Sequence, residues 1–417
     1  MCKENKYLEF KLDMTKTYLK TVSAFANYGD GEIMFGVSDN GKVIGIENPL
    51  DFSLDLENQI NNLIVPQPEY TIKINPDHSV SLFVKRGSRT PYKYQNKAYK
   101  RHNTSTIEVD SFELDNLVLY GRNLSFEELE CKKQSLTFNA FENQCKELLK
   151  ISSLSKDNLI SLGLINENMK YNNAAFTFSD QNSLGGLDVV VFGKDINEIK
   201  TRYDLHSLNI VNQLNRALEI FDANYMFEQV GGTTRKLVEK IPRIAFKEAV
   251  ANAIVHREYG LNANTKVSMF NNYIEICSVG GLPTGLSEEQ FYNDLASSRR
   301  NQIIANIFMR FKIIEAFGTG IRRIKNSYIN SGVQPEFKVF DNEVVVILPV
   351  VGLNALTDDE QYFISKLSKK VYYSRKDLED ILGKSKSSVI RLVNNLIEKK
   401  VLNVSGEGKA KLYKLVG

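Results

Sequence analysis

The strongest constraint on how this chain can fold lies between residues 246 and 324, where three short blocks follow one another. The first is Phe246-Lys247-Glu248-Ala249-Val250-Ala251-Asn252-Ala253-Ile254-Val255-His256-Arg257-Glu258-Tyr259. Ser278-Val279-Gly280-Gly281-Leu282-Pro283 and Phe317-Gly318-Thr319-Gly320-Ile321 come after it. Glu248 and Asn252 are four residues apart. On a helix their carboxylate and amide leave one face, while Ala249, Val250, Ala253 and Ile254 pack beneath. Such a face can hold a water and a metal ion together, because Mg²⁺ takes oxygen ligands and keeps several waters. Glycine turns in turn let backbone N–H groups come close to phosphate. The same letters also suit a solvated amphipathic helix followed by two ordinary glycine turns.

The 417 residues suffice for about three or four domains, and 42% hydrophobic with 25% charged residues is ordinary globular composition. No apolar run approaches the ~18 residues of a membrane span, and the N-terminus opens with charged residues, so a cytoplasmic protein is expected. Cys2, Cys131, Cys145 and Cys277 are scattered, which suggests free thiols rather than a zinc site or a disulfide framework. The net charge of +3 says little as a total.

Its distribution says more. Residues 85–102 hold seven basic side chains, Lys85, Arg86, Arg89, Lys93, Lys97, Lys100 and Arg101, with no Asp or Glu and with Tyr92, Tyr94 and Tyr99 between them. Alternation around 80–84 and 98–101 predicts two strands of a basic hairpin that could neutralise phosphates and stack bases. A charged face with tyrosines buried behind it is the competing reading. Upstream, Leu8-Glu9-Phe10-Lys11 predicts a strand and residues 22–27 a helix. Residues 29–45 predict a strand pair turning at Asn40-Gly41.

Residues 119–240 carry no chemistry of their own. Helical spacing covers 126–149, a helix ends at Gly163, a buried strand covers 187–193, and a helix runs from about 206 to 225. Beyond a strand at 344–349, helical stretches are expected near 358–368, 374–382 and 385–400, with Thr357 and Glu360 forming a capping box. A hairpin follows. Helix, helix, recognition helix and wing is the winged helix-turn-helix order. Residues 356–417 hold thirteen Lys and Arg against eight Asp and Glu, a surplus of five. Lys384, Ser385, Lys386, Ser387, Ser388 and Arg391 open the third helix, where phosphate and base edges would lie.

The Glu-x-x-x-Asn helix, the Gly-Gly turn and the Gly-x-Gly turn resemble the GHKL ATPase superfamily. The string Asn252-Ala-Ile-Val-His-Arg-Glu-Tyr259 with Gly280-Gly281-Leu282-Pro283 is similar to its divergent branch of RecG-like transcriptional regulators. That resemblance implies ATP and Mg²⁺ as cofactors, with Glu248 activating water and Asn252 ligating the metal. Gly280, Gly281, Gly318, Thr319 and Gly320 would surround the phosphates. Ser278 and Val279 stand where these ATPases place an adenine-binding Asp. Residues 1–115, with Glu9-Phe10-Lys11, Ser23-Ala-Phe-Ala-Asn27 and the Gly36-Val37-Ser38-Asp39 hairpin, resemble the Alba-type domain of Schlafen proteins, which implies nucleic-acid binding. In nuclease-active Schlafen proteins two Glu and one Asp hold a divalent metal, Mg²⁺ or Mn²⁺. Glu4, Glu9 and Asp39 match those positions here. Lys11 reads equally as a phosphate contact and as a solvated strand residue.

The expected chain is thus a multidomain α+β protein. It has an Alba/Schlafen-like domain (1–118), a helical connector with one short strand (119–240), a GHKL-like α/β sandwich (241–350) and a winged helix-turn-helix (356–417). The expected role is that of an ATP-responsive nucleic-acid-binding transcriptional regulator, and the alternative is a metal-dependent endonuclease acting on RNA or DNA, for instance in defence against foreign nucleic acid. Nucleic acid and nucleotide are the expected partners, with no membrane and with homo-oligomerisation left open.

Overall fold

Strand β1 (Leu8–Lys11) and strand β2 (Gly31–Phe35) pair in parallel, Leu8 with Glu32 through Lys11 with Phe35. A parallel pair needs a crossover, and helix α1 (Tyr18–Tyr28) supplies it. Nine of its eleven residues are buried, so it packs on more than one side rather than along a stripe. Gly31 has no side chain because a Cβ would run into the Phe25 ring. The computed structural model describes residues 3–231, 234–283, 286, 288–293, 300–315, 319–329, 331–351, 358–368, 371–398, 401–406 and 411–415. They form two compact units, Met1–Leu129 with Thr284–Leu286, and Glu130–Pro283 with Ser287–Gly417.

In the first unit, helix α2 (Pro49–Leu63) leads to β3 (Ile64–Val65), β4 (Tyr70–Ile74), β5 (Val80–Val84), β6 (Lys93–Tyr94), β7 (Tyr99–His102), β8 (Ser105–Glu108) and helix α3 (Ser111–Gly121). The main sheet has the order β1-β2-β5-β4. The basic hairpin expected from 80–84 and 98–101 does not form. Both edges of β5 are taken, by β2 and β4, so β6 pairs with β3 and β7 with β8. Ser23 Oγ and Asn27 Nδ2 donate to the Tyr92 carbonyl at 2.7 and 2.9 Å, and Tyr92 N–H donates to Asn27 Oδ1 at 2.7 Å. The Ser-Ala-Phe-Ala-Asn string thereby ties α1 to the segment before β6. The Asn40-Gly41 turn is present, but its second limb is a single bridge between Val37 and Val43.

The second unit opens with helices α4 (Asn139–Leu149), α5 (Lys156–Ser161) and α6 (Asn173–Phe178). The helix expected over 126–149 is interrupted, because the backbone at Glu130 and Cys131 pairs with Asn172 and Tyr171 instead. Next come β9 (Leu187–Phe192), β10 (Ile199–Asp204), α7 (Ile210–Tyr225), the two-stranded β11 (Met226–Gly231) and β12 (Thr234–Glu239), α8 (Arg243–Val255), β13 (Thr265–Met269) and β14 (Tyr273–Val279). Helices α9 (Glu288–Tyr292), α10 (Gln302–Arg310) and α11 (Gly320–Ser327) precede β15 (Glu336–Val339) and β16 (Glu343–Pro349).

One mixed sheet runs β10-β9-β13-β14-β16-β15, with α7 and α8 packed on it. Its parallel pair is β9 with β13, so the stretch through α7 and α8 is the crossover. The domain boundary expected at residue 240 therefore cuts a continuous sheet. Strands β9 and β10 of the predicted connector belong to that sheet.

Toward the C-terminus, α12 (Asp358–Ser365), β17 (Tyr373–Ser374), α13 (Arg375–Leu382), α14 (Lys386–Glu398), β18 (Leu402–Ser405) and β19 (Leu412–Leu415) follow in the expected order. Phe363, Leu378, Val389, Val393, Leu396 and Leu402 form their core. Thr357, the expected cap, lies outside the described residues. Among the described residues no helix is long and apolar enough to cross a membrane.

Candidate functional site

Helix α8 carries Glu248 and Asn252 on consecutive turns, with Ala245, Phe246, Ala249, Val250, Ala253 and Ile254 buried around them. Helix α11 lies against α8 and brings Gly320 to the pair. A Cβ on Gly320 would stand 2.6 Å from both Glu248 Oε1 and Asn252 Nδ2, so any larger residue would have to displace these side-chain ends. Glu248 is 5% exposed, and no described residue hydrogen-bonds its carboxylate or the Asn252 amide. Burial pushes the Glu248 carboxyl above its ordinary range, while the Arg323 guanidinium and the Lys247 ammonium pull it back. Beside Gly320, Thr319 Oγ1 is enclosed without a partner among the described residues. Burying polar groups without hydrogen bonds is costly. Their concentration at one spot, with a perturbed carboxyl, marks a candidate site. Phe317 and Gly318 lie outside the described residues.

The other end of α8 is fully paired. The last carbonyls of a helix lack partners within it, and here distant side chains supply them. Ser278 Oγ donates to Ala253 O at 3.2 Å, Tyr259 OH to Ile254 O at 3.1 Å, and Asn301 Nδ2 to Val255 O and Arg257 O at 2.8 Å each. Arg300 Nη1 donates to His256 O at 2.7 Å and Nη2 to Gly281 O at 2.9 Å. The string Asn252–Tyr259 is thus in part a capping device. Arg300 and Asn301 were not singled out in the sequence, since a donor some forty-five positions away leaves no periodic trace.

Gly280 and Gly281 depart from the expected phosphate cradle. The Gly280 N–H donates to Asn342 O at 2.9 Å, and a Cβ on Gly281 would collide with the Asp341 carbonyl. Gly280 has φ 93°, a left-handed value that favours glycine. The pair packs the end of β14 onto the turn between β15 and β16. Ser278, one of the two residues expected where an adenine-binding Asp would stand, has its hydroxyl proton directed to α8.

In the first unit the carboxylates Glu4, Glu9 and Asp39 do not assemble into a metal centre. No group of three or more His, Cys, Asp or Glu among the described residues could hold a metal. Glu9 accepts from Thr21 Oγ1 at 2.7 Å, pairs with Lys11 Nζ at 2.7 Å and is bound by Arg101. Two cations and a hydroxyl do there what the expected ion would have done. Glu4 Oε1 accepts the Phe10 N–H at 2.8 Å, and Asp39 is exposed at the turn. Lys11, read as a phosphate contact or a solvated residue, is instead a partner of Glu9.

The run of basic residues is largely compensated. Lys85 pairs with Glu69 at 2.5 Å, Lys97 with Glu108 at 2.7 Å, Lys100 with Glu113 and Arg101 with Glu9. Arg86 lies over the Tyr120 ring, 4.5 Å from its centroid. Tyr92, Tyr94 and Tyr99 are buried core residues, unavailable for stacking on bases. Arg89 and Lys93 remain without an ion pair among the described residues.

At the start of α14, Ser385, Lys386 and Arg391 are exposed and Lys384 and Ser388 half-buried. Ser385 Oγ lies 3.2 Å from Ser387 Oγ and 3.1 Å from Ser388 Oγ.

Comparison with known proteins divides the chain in the same way. Residues 4–110 match the family model described as "Schlafen, AlbA_2", and residues 262–348 match "Putative ATP-dependent DNA helicase recG C-terminal". The second match covers β13 to β16 with Gly320 and begins after α8. The DIP2311 protein from Corynebacterium diphtheriae is similar over 99% of this chain and 92% of its own, at 15% identity and a TM-score of 0.49. The N-terminal domain of a "Putative ATP-dependent DNA Helicase RecG-related Protein" from Nitrosomonas europaea is similar over 26% of this chain and 84% of its own, at 20% identity and a TM-score of 0.20. No curated protein matches. The chain carries a Schlafen AlbA_2 domain and an ATPase-like domain of the recG C-terminal type.

Proposed function

We propose that this chain is a nucleotide-responsive nucleic-acid-binding protein acting in transcriptional regulation. The observation that carries the nucleotide half is the approach of Gly320 to Glu248 and Asn252 of α8, which no described residue hydrogen-bonds through their side chains. The residues fit a magnesium nucleotide. Asn252 would hold the metal through its amide oxygen, and Glu248, set in a poorly solvated place, would take a proton from an attacking water. The metal would supply charge neutralisation at the phosphates. The nucleic-acid half is supported by the Schlafen AlbA_2 match, by the uncompensated Arg89 and Lys93, and by the basic start of α14. In the winged-helix reading, α14 is the recognition helix and β18 with β19 the wing.

Titration calorimetry with Mg²⁺–ATP tests the first half. The wild type binds, Asn252→Ala loses binding, and Glu248→Gln binds without turnover. A wild type that takes up no nucleotide refutes the reading. For the second half, replacing Arg89 and Lys93 with Ala flattens the salt dependence of duplex binding by roughly 0.9 in slope per lost phosphate contact. Lys85→Ala and Lys97→Ala leave the slope as it was.

A further inference from the structure

We propose that Arg323 contacts the terminal phosphate of a bound nucleoside triphosphate and so distinguishes triphosphate from diphosphate. The inference rests on the nucleotide reading of the α8 face. Arg323 follows Gly320 by three residues on α11, which places it one turn along on the side of the glycine that meets Glu248 and Asn252. Among the charges acting on Glu248, its guanidinium is the strongest that opposes the effect of burial. The phosphate beside a water-activating carboxylate is the one to be cleaved, hence the terminal one.

Arg323 is held meanwhile by a replaceable partner. It pairs with Glu315, whose side chain is 55% exposed, and exposed pairs of this kind bind weakly. A phosphate offers more charge than a carboxylate and the same bidentate match to a guanidinium. Two neighbouring features suit an anion as well. Thr319 Oγ1 is enclosed without a partner among the described residues. The backbone N–H of Arg323 closes the first turn of α11 on Thr319 O at 2.9 Å, so that the N–H groups before it lie at a helix N-terminus. A triphosphate near the buried Glu248 also needs a cation besides the metal, because like charges in a poorly solvated site repel strongly.

The test is calorimetric titration of the full chain with Mg²⁺–ATP and with Mg²⁺–ADP, for wild type, Arg323→Ala, Arg323→Lys and Glu315→Gln. Arg323→Ala should weaken ATP by about 10- to 100-fold, the loss of one charge-assisted bond, with ADP changed less than about threefold. Arg323→Lys should restore part of the ATP affinity. Glu315→Gln, which frees the guanidinium, should tighten ATP. Equal weakening of ATP and ADP, or no weakening of either, overturns the role of Arg323 and leaves the nucleotide site standing. No binding of either nucleotide to the wild type overturns both. If thermal melting shows Arg323→Ala to be unfolded, the Lys and Glu315→Gln arms decide by the same criteria.

Discussion

Replacing Gly320 with Ala tests the geometry of the α8–α11 contact, because its effect should change sign with the background. In the wild type the new methyl would sit 2.6 Å from Glu248 Oε1 and from Asn252 Nδ2, well inside van der Waals contact. Glu248 is buried, so overpacking of about 1–3 kcal/mol is expected. Against this stands the gain from a stiffer unfolded chain, about 0.4–1 kcal/mol, available because Gly320 is not in a left-handed conformation. The net effect in the wild type is a loss of up to about 2.6 kcal/mol. In a Glu248→Ala, Asn252→Ala background both colliding groups are gone. There the same substitution should stabilise by about 0.4–1 kcal/mol, giving a coupling energy of roughly 1–3 kcal/mol. Urea unfolding of the four proteins, with the slope m required to stay constant, measures the cycle. An equal effect of Gly320→Ala in both backgrounds would refute the contact.

Burial raises the Glu248 carboxyl above 4.5 in the folded chain. Its contribution to stability is therefore full below about pH 4.5 and lost as pH rises through the folded value. The stability of Glu248→Gln relative to wild type should climb over that window and then level off, and a pH-independent difference between pH 4 and 8 contradicts the assignment. Asn301→Ala strips donors from the Val255 and Arg257 carbonyls. It should cost about 1–3 kcal/mol per stranded acceptor in denaturant unfolding, with the helix count by circular dichroism retained. Arg101→Ala leaves the buried Glu9 with Lys11 and Thr21 only, and a loss near 3 kcal/mol is expected. Lys97→Ala, whose pair with Glu108 lies in solvent, should leave the midpoint unmoved.

What could be read from the sequence was local. Strand β1, helix α1, the Asn40-Gly41 turn, strand β9 and the C-terminal series of helices each carry their own period or turn chemistry. The failures are all pairings between distant residues. Nothing near residue 240 announces that β9 will pair with β13 on the far side of α8, so a sheet was divided between two expected domains. The run from 85 to 102 contains no acidic residue, yet Glu9 meets Arg101 from 92 positions away and Glu69 meets Lys85 from 16. Charge counted along a chain differs from charge counted in space. Glu9, expected to help hold a metal ion, instead pairs with Arg101 of the basic segment, so one ion pair altered two expectations at once.

Helix α8 shows why some of the site was nevertheless legible. At its C-terminal end every carbonyl from Asn252 to His256 has a donor, four of them from beyond residue 277 or from Tyr259. A helix anchored so completely at one end has little freedom to repack, and the side chains of its exposed face inherit that rigidity. Among the described residues neither side chain has a hydrogen-bond partner, and Glu248 is buried while Asn252 is half-buried. Folding sequences normally avoid this conflict, and where it survives on a rigid element it points to a ligand that completes the bonding. Spacing alone puts Glu248 and Asn252 on one face of α8, because four residues on a helix fix a face. Which glycine would meet that face had to come from the packing of α11.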